Sequence, residues 1–167
     1  MVTLDKFNVK SLQQLLFYYL QARINDNNIN LKHLIVTDIY NWFIFDANLF
    51  ERLFYYHKPL IKEFNDFQQG RLTSKKQELF YQDIASKYIR ENEKELKENC
   101  TYFNLNDYQN ISEDKQLIPL YKILSPHHLL KLPFANDSNS LNQDFYSELL
   151  HIIGSVSYTH LTLPTKA

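Results

Sequence analysis

Three polar side chains near the start of the chain stand four residues apart: Lys10, Gln14 and Tyr18. At that spacing they stack on one face of a helix. Such a row can present an ammonium, an amide and a phenol to a phosphate or to a metal-bound water. Any amphipathic helix also carries a polar row on its solvated side, so spacing alone leaves that plainer reading open. Two carboxylates, Asp38 and Asp46, flank an apolar run and have the hard oxygen chemistry of a cation ligand. The local sequence favours turn and cap roles for both. Without two or three converging carboxylates, no metal is held to lower the pKa of a water.

Other chemistries find less support. His127 and His128 are adjacent, the wrong spacing for two ligands on one helical face, and His33, His57 and His151 lack a Glu-x-x-His or His-x-x-x-His partner. Cys100 is the single cysteine, which removes intramolecular disulfides and cysteine-based zinc sites. The expected metal-ligand set is none. Two glycines in 167 residues argue against a Gly-rich phosphate cradle, and no nucleophile elbow is present.

Length and composition set the frame. A chain of 167 residues with 44% hydrophobic and 22% charged residues is long enough for one sizeable core. No apolar run approaches the roughly 20 residues that span a bilayer, and nothing resembles a signal peptide. With one cysteine, a reducing cytoplasmic compartment and no membrane contact are expected. Charge is uneven: residues 1–76 carry ten Lys and Arg against seven Asp and Glu, a net of +3, and residues 77–154 a net of −5. If the chain meets nucleic acid, the first half is the expected footprint.

The elements that position these residues follow from hydrophobic spacing. Val9, Leu12, Leu16, Tyr19 and Leu20 predict a helix over 9–24, ended by Asn25–Asn28. Leu34–Val36 and Trp42–Phe45 are short, wholly apolar runs around a turn-prone Thr37–Asn41, an antiparallel pair with both faces covered. Two strands are marginal alone, so further strands are expected beside them. Next comes a helix capped by Asn48 with Glu51 as its reciprocal partner, burying Phe50, Leu53, Phe54 and His57 up to a break at Pro59. Leu60, Ile61, Phe64 and Phe67 predict a second helix ending near Gly70. Ser74 with Gln77 opens a long helix over 75–97 that buries Phe80, Ile84, Ala85 and Tyr88 and ends in a charged run where Glu93 precedes Lys97 by four. Thr101–Tyr108 reads as strand or loop. Leu117, Leu120, Tyr121 and Leu124 predict a helix broken at Ser125-Pro126, where serine caps a short turn through Leu130. Asn136–Asn139 reads as loop. Ser140 with Gln143 opens a last helix striped by Leu141, Phe145, Leu149 and Ile152. The fold class expected is α+β, mostly helical.

Ser155–Ala167, SVSYTHLTLPTKA, fits no element begun before it. It resembles translated sequencing-adaptor read-through, so residues 155–167 are expected to be a non-native tail and the natural chain to continue beyond Gly154.

The Gln14-Leu15-Leu16-Phe17-Tyr18 run matches Gln-hydrophobic-x-x-Tyr, the RecB-like signature of PD-(D/E)xK nucleases. More broadly, FNVKSLQQLLFYYLQARIN, LKHLIVTDIYNWFIFDANLFERLF and ELFYQDIA resemble the N-terminal region of type IIG restriction–modification enzymes. LIPLYKILSPHHLLKLPFANDSNSLNQDFYSELLHIIG resembles the helical lead-in to their methyltransferase domain. The resemblance covers residues 4–154. It implies a partial restriction-endonuclease-like core over 1–70 and a helical connector over 71–154 leading to an absent methyltransferase domain. Gln14 and Tyr18 would be accessory catalytic positions and Lys10 a contact to double-stranded DNA. The implied parent joins a Mg²⁺-dependent endonuclease to an adenine-N6 methyltransferase using S-adenosylmethionine.

On that mapping the acidic-x-Lys strand that holds Mg²⁺ lies upstream of the chain. Glu95-Leu96-Lys97 spells the pair, but on a helix residues two apart point apart. Neither a Gly-rich loop after a strand nor an Asn/Asp-Pro-Pro-aromatic run is present. The fragment is therefore expected to hold no cofactor and to lack both reaction centres. Exposed strand edges give it a route to self-association. The alternative is a self-contained helical module that binds a protein partner.

Overall fold

The computed structural model describes residues 3–71, 77–109, 111 and 114–132. Its first helix, α1 (Lys10–Leu20), runs into a π turn at Gln21–Asn25, and Asn27 follows with φ of 49°. The expected stripe of Leu12, Leu16, Tyr19 and Leu20 is buried, and so are Gln13 and Phe17. The buried face is wide because α1 touches the first strand and also the helical turn at 80–85. Gln13 is satisfied there: its amide donates to Asn8 Oδ1 at 3.0 Å, and the Asn8 amide donates to Ser86 O at 2.7 Å. Residues before α1 carry no helical or strand period, yet Phe7 is a core residue, edge-on to Phe43 and Phe45 at 5.9 and 6.1 Å.

The two apolar runs form β1 (His33–Thr37) and β2 (Asn41–Asp46), paired antiparallel with Leu34 opposite Phe45 and Val36 opposite Phe43. A third strand, β3 (Cys100–Asn104), pairs antiparallel with β2, giving the order β1-β2-β3. One of the further strands expected beside the hairpin is therefore supplied by the chain itself. The segment 101–108, open between strand and loop, supplies the partner and then closes in a 3₁₀ turn at Leu105–Tyr108. On the edge of β1 away from β2, no described strand pairs. Side chains alternate as a pleated sheet requires: Leu34, Val36, Phe43 and Phe45 enter the main core, while Ile44 and Phe103 are buried on the other face, where Trp42 stacks on Phe103 at 5.8 Å. The first face is covered throughout; on the second, Ile44 and Phe103 are buried while Ile35 and Trp42 are half-buried.

After β2, α2 (Ala47–Phe50) passes into a π turn at Glu51–Tyr55. Its cap is Asp46, whose side chain accepts from Asn48 N at 2.8 Å, and not Asn48 as the spacing suggested. The expected reciprocal partner, Glu51, is drawn away to Arg23. Pro59 sits in the first turn of α3 (Lys58–Gln68), where its missing N–H costs nothing. His57 caps that helix through Nδ1, at 3.4 Å from Leu60 N, and Gly70 at φ 66° follows its end. The long helix is in pieces. α4 (Gln77–Leu79), a π turn at Phe80–Ala85 and α5 (Ser86–Glu91) run on continuously, then Asn92 breaks the rod before α6 (Glu93–Glu98). Lys97 meets Glu93 at 2.6 Å as the spacing predicted.

Met1–Pro119 forms one compact unit. Its core continues past residue 70, because Phe80, Ile84, Tyr88 and Leu96 join the cluster built by α1, the sheet and α3. A core that draws on both sides of residue 70 does not divide there. Leu120–Ala167 groups separately. The helix α7 (Asp114–Leu124) carries Pro119 within it. Ser125 caps α8 (Pro126–Leu129), its Oγ accepting from His128 N at 3.2 Å, as expected. The Ser74 cap, the Asn136–Asn139 loop, the helix from Ser140 and the tail 155–167 lie outside the described residues. The fold is α+β, mostly helical, with one three-stranded antiparallel sheet among the described residues.

Candidate functional site

The predicted row on α1 is present as a row, and a neighbouring helix closes over part of it. Lys10 Nζ lies 2.6 Å from Glu78 Oε2, and 5.9 Å from the ring centre of Tyr81. Tyr81 is almost wholly buried; its hydroxyl donates to Gln77 Oε1 at 3.3 Å. Burial first, then the neighbouring Tyr18, push the Tyr81 pKa up, opposed by the Gln14 amide hydrogen bond and by Lys10. All three residues of the row therefore converge on one phenol. The row is held in place from α4 and the π turn that follows, and Tyr18 remains more than half exposed.

Lys10 and Gln14 also line a cavity of about 310 Å³, whose other wall is the end of the hairpin: Val36, Thr37, Asp38, Asn41 and Phe43. Ser11 lines it as well, and its Oγ is buried with no hydrogen-bond partner among the described residues. Tyr18 does not reach this cavity. The structure thus brings two of the three predicted residues to one concave surface and leaves the third on the adjoining open face.

The carboxylate on that surface has a structural job. Asp38 Oδ1 accepts from Asn41 N at 2.7 Å and from Tyr40 N at 3.1 Å, and Oδ2 accepts from the Asn41 amide at 3.0 Å. Those bonds, the Asn41 backbone foremost, hold its carboxyl below the usual carboxylate range. Asp46 caps α2. Neither is grouped with other carboxylates: among the described residues no three His, Cys, Asp or Glu gather where they could hold a metal ion. Glu95 pairs with Arg52 at 2.5 Å and Lys97 with Glu93, so the Glu95-Leu96-Lys97 triplet diverges on its helix. Cys100 is half-buried, and burial pushes its thiol pKa up, away from nucleophilic reactivity.

Sequence reasoning missed Glu78 and Tyr81, which fix the row from the far side. Their signal was present, since an acidic residue and an aromatic three apart share a helical face that complements Lys10 and Tyr18. What could not be read was which helix would face α1.

No helix among the described residues is long and apolar enough to cross a membrane. No curated protein and no solved structure matches the chain significantly. One family model matches residues 1–137, most of the chain. On that match, the chain belongs to the family described as a domain of unknown function (DUF7149).

Proposed function

We propose that this chain is a DNA-facing, non-catalytic part of a type IIG-like restriction–modification enzyme. Its parent would cleave double-stranded DNA with Mg²⁺ and methylate adenine with S-adenosylmethionine, working in the cytoplasm. The observation that carries the reading is the placement of α1. Gln14 and Lys10 line a cavity whose other wall is the end of the β1–β2 hairpin, with Tyr18 exposed one turn on. In a nuclease half-fold, an accessory Gln and Tyr belong on a helix packed beside the sheet, facing the substrate side. β1 lies at the sheet edge, where another strand can add. The resemblance of the long stretches supports the same reading.

The direct test is incubation of the purified chain with Mg²⁺ and a supercoiled plasmid of mixed sequence. The plasmid is expected to stay supercoiled. Nicking that is lost in a Gln14→Ala, Tyr18→Ala variant would show a working centre in this chain and sink the non-catalytic reading.

A second reading has one observation in its favour: the core of Met1–Pro119 is continuous from Phe7 to Leu96, as in a self-contained module that binds a protein partner. A cooperatively melting monomer favours the module. Dimerisation through β1 favours the nuclease part.

A further inference from the structure

A larger groove of about 760 Å³ opens between the π turn after α1, the π turn after α2 and one side of α3. Four cations line it, Arg23, Lys58, Lys62 and Arg71, against the single carboxylate of Asp66. Two of the cations have protein partners: Arg23 pairs with Glu51, and Arg71 with Asp66 at 3.2 Å. Lys58 and Lys62 are exposed and make no ion pair among the described residues.

Their placement is electrostatically unfavourable for the protein alone. They stand four apart on α3, where like charges repel. Lys58 also sits at the helix N-terminus, the positive end of the dipole, in a first turn that carries no acidic residue. Opposed cations kept beside a concave surface are what an anionic ligand would relieve. Beside them stand two tyrosines. The Arg23 guanidinium covers the ring of Tyr55 at 4.4 Å, and Tyr56 is 68% exposed on the groove wall. Both π turns bring groove residues, Arg23 from one and Tyr55 from the other, and such turns recur at functional sites.

We infer that this groove binds a nucleic-acid strand, with Lys58 and Lys62 on successive phosphates and a base stacked on the open face of Tyr56. Cations tracking a backbone beside an exposed ring are the two features such binding needs. The groove, its charge and the exposed ring carry this site, which stands apart from the restriction-enzyme reading; its failure would leave that reading's plasmid test untouched.

The test is fluorescence anisotropy of the full chain with a labelled single-stranded 20-mer over a salt series. Binding that weakens with salt is expected. Lys58→Gln, Lys62→Gln should lower the salt slope by about 1.4, at roughly 0.7 for each phosphate left without its lysine. Tyr56→Ala should weaken binding about tenfold at fixed salt. The control pair Lys6→Gln, Lys94→Gln, which removes the same charge elsewhere on the exposed surface, should change the slope far less. Far-UV circular dichroism and melting of each variant check folding, which these exposed substitutions should preserve. Equal slopes for the two double variants, a silent Tyr56→Ala, or equal competition by poly-glutamate would each overturn the proposal.

Discussion

Lys10 Nζ and Glu78 Oε2, 2.6 Å apart, tie α1 to the helical run that begins at Gln77 across 68 residues of sequence. Hydrogen bonding to Lys10 holds the Glu78 carboxyl below its ordinary 4.5, and the same bond, with Glu78's charge, holds the Lys10 ammonium above its ordinary 10.5. A depressed carboxyl contributes stability above its unfolded value, lost as pH falls through the folded one. A raised ammonium contributes below its unfolded value, lost as pH rises through the folded one. Both side chains are exposed, so salt screens the pair and its contribution is small. The difference in urea midpoint between wild type and Lys10→Met is expected to be slight, level between those two values and fading as pH passes beyond them through the folded values. A large difference, or one that grows at the pH extremes, would contradict a screened surface pair.

Phe17 and Tyr18 should separate sharply under substitution. The Phe17 ring lies 5.1 Å from Phe80, 5.7 Å from Tyr81 and 6.0 Å from Phe64, a fully enclosed aromatic cluster. Phe17→Ala should cost roughly 3–5 kcal/mol in urea unfolding. Tyr18→Ala, next door but 55% exposed, should cost far less. Comparable losses would mean that Tyr18 is structural and not a surface residue available to a ligand.

The hairpin turn holds a β-branched residue in the left-handed region: Ile39 has φ of 84° and is 72% exposed. Bulky residues pay a steric cost there that glycine does not. Ile39→Gly is therefore expected to raise stability by about 1 kcal/mol, since little burial is lost. The bond from Trp42 Nε1 to the Ile39 carbonyl, 2.8 Å, uses backbone and survives the change. A clear loss of stability would place the side chain, and not the backbone, in the turn's service.

Cys100 should be a slow thiol. It is half-buried, its pKa is raised by burial, and its Sγ donates to Lys97 O at 3.4 Å. Reaction with a disulfide reagent near pH 8 is expected to be much slower in the native protein than in urea. Equal rates would show that β3 opens readily from β2.

The sequence carried the local structure well and the long-range structure poorly. The two apolar runs 34–36 and 42–45 announced strands, and Ser125-Pro126 announced a cap, because both signals are complete within a few residues. β3 was ambiguous because Thr101 and Asn104 dilute its pattern and only pairing with β2 makes it a strand. Phe7 was silent because one aromatic has no period. Asp46 displaced Asn48 as cap because the strand ends one residue before the helix begins, which spacing counted from Glu51 cannot show. Of the candidate site, the Lys10, Gln14 and Tyr18 row was legible from helical geometry; the cavity wall opposite it depended on where the hairpin folded back.

We propose that nuclease and methyltransferase centres are encoded beside this chain in one parent enzyme. Reading the genomic coding frame across the locus tests this most directly. An acidic-x-Lys strand is expected upstream, and downstream a Gly-rich loop after a strand with an Asn/Asp-Pro-Pro-aromatic run. A stop codon bounding the frame close to each end of residues 1–154, with none of these motifs, would contradict it.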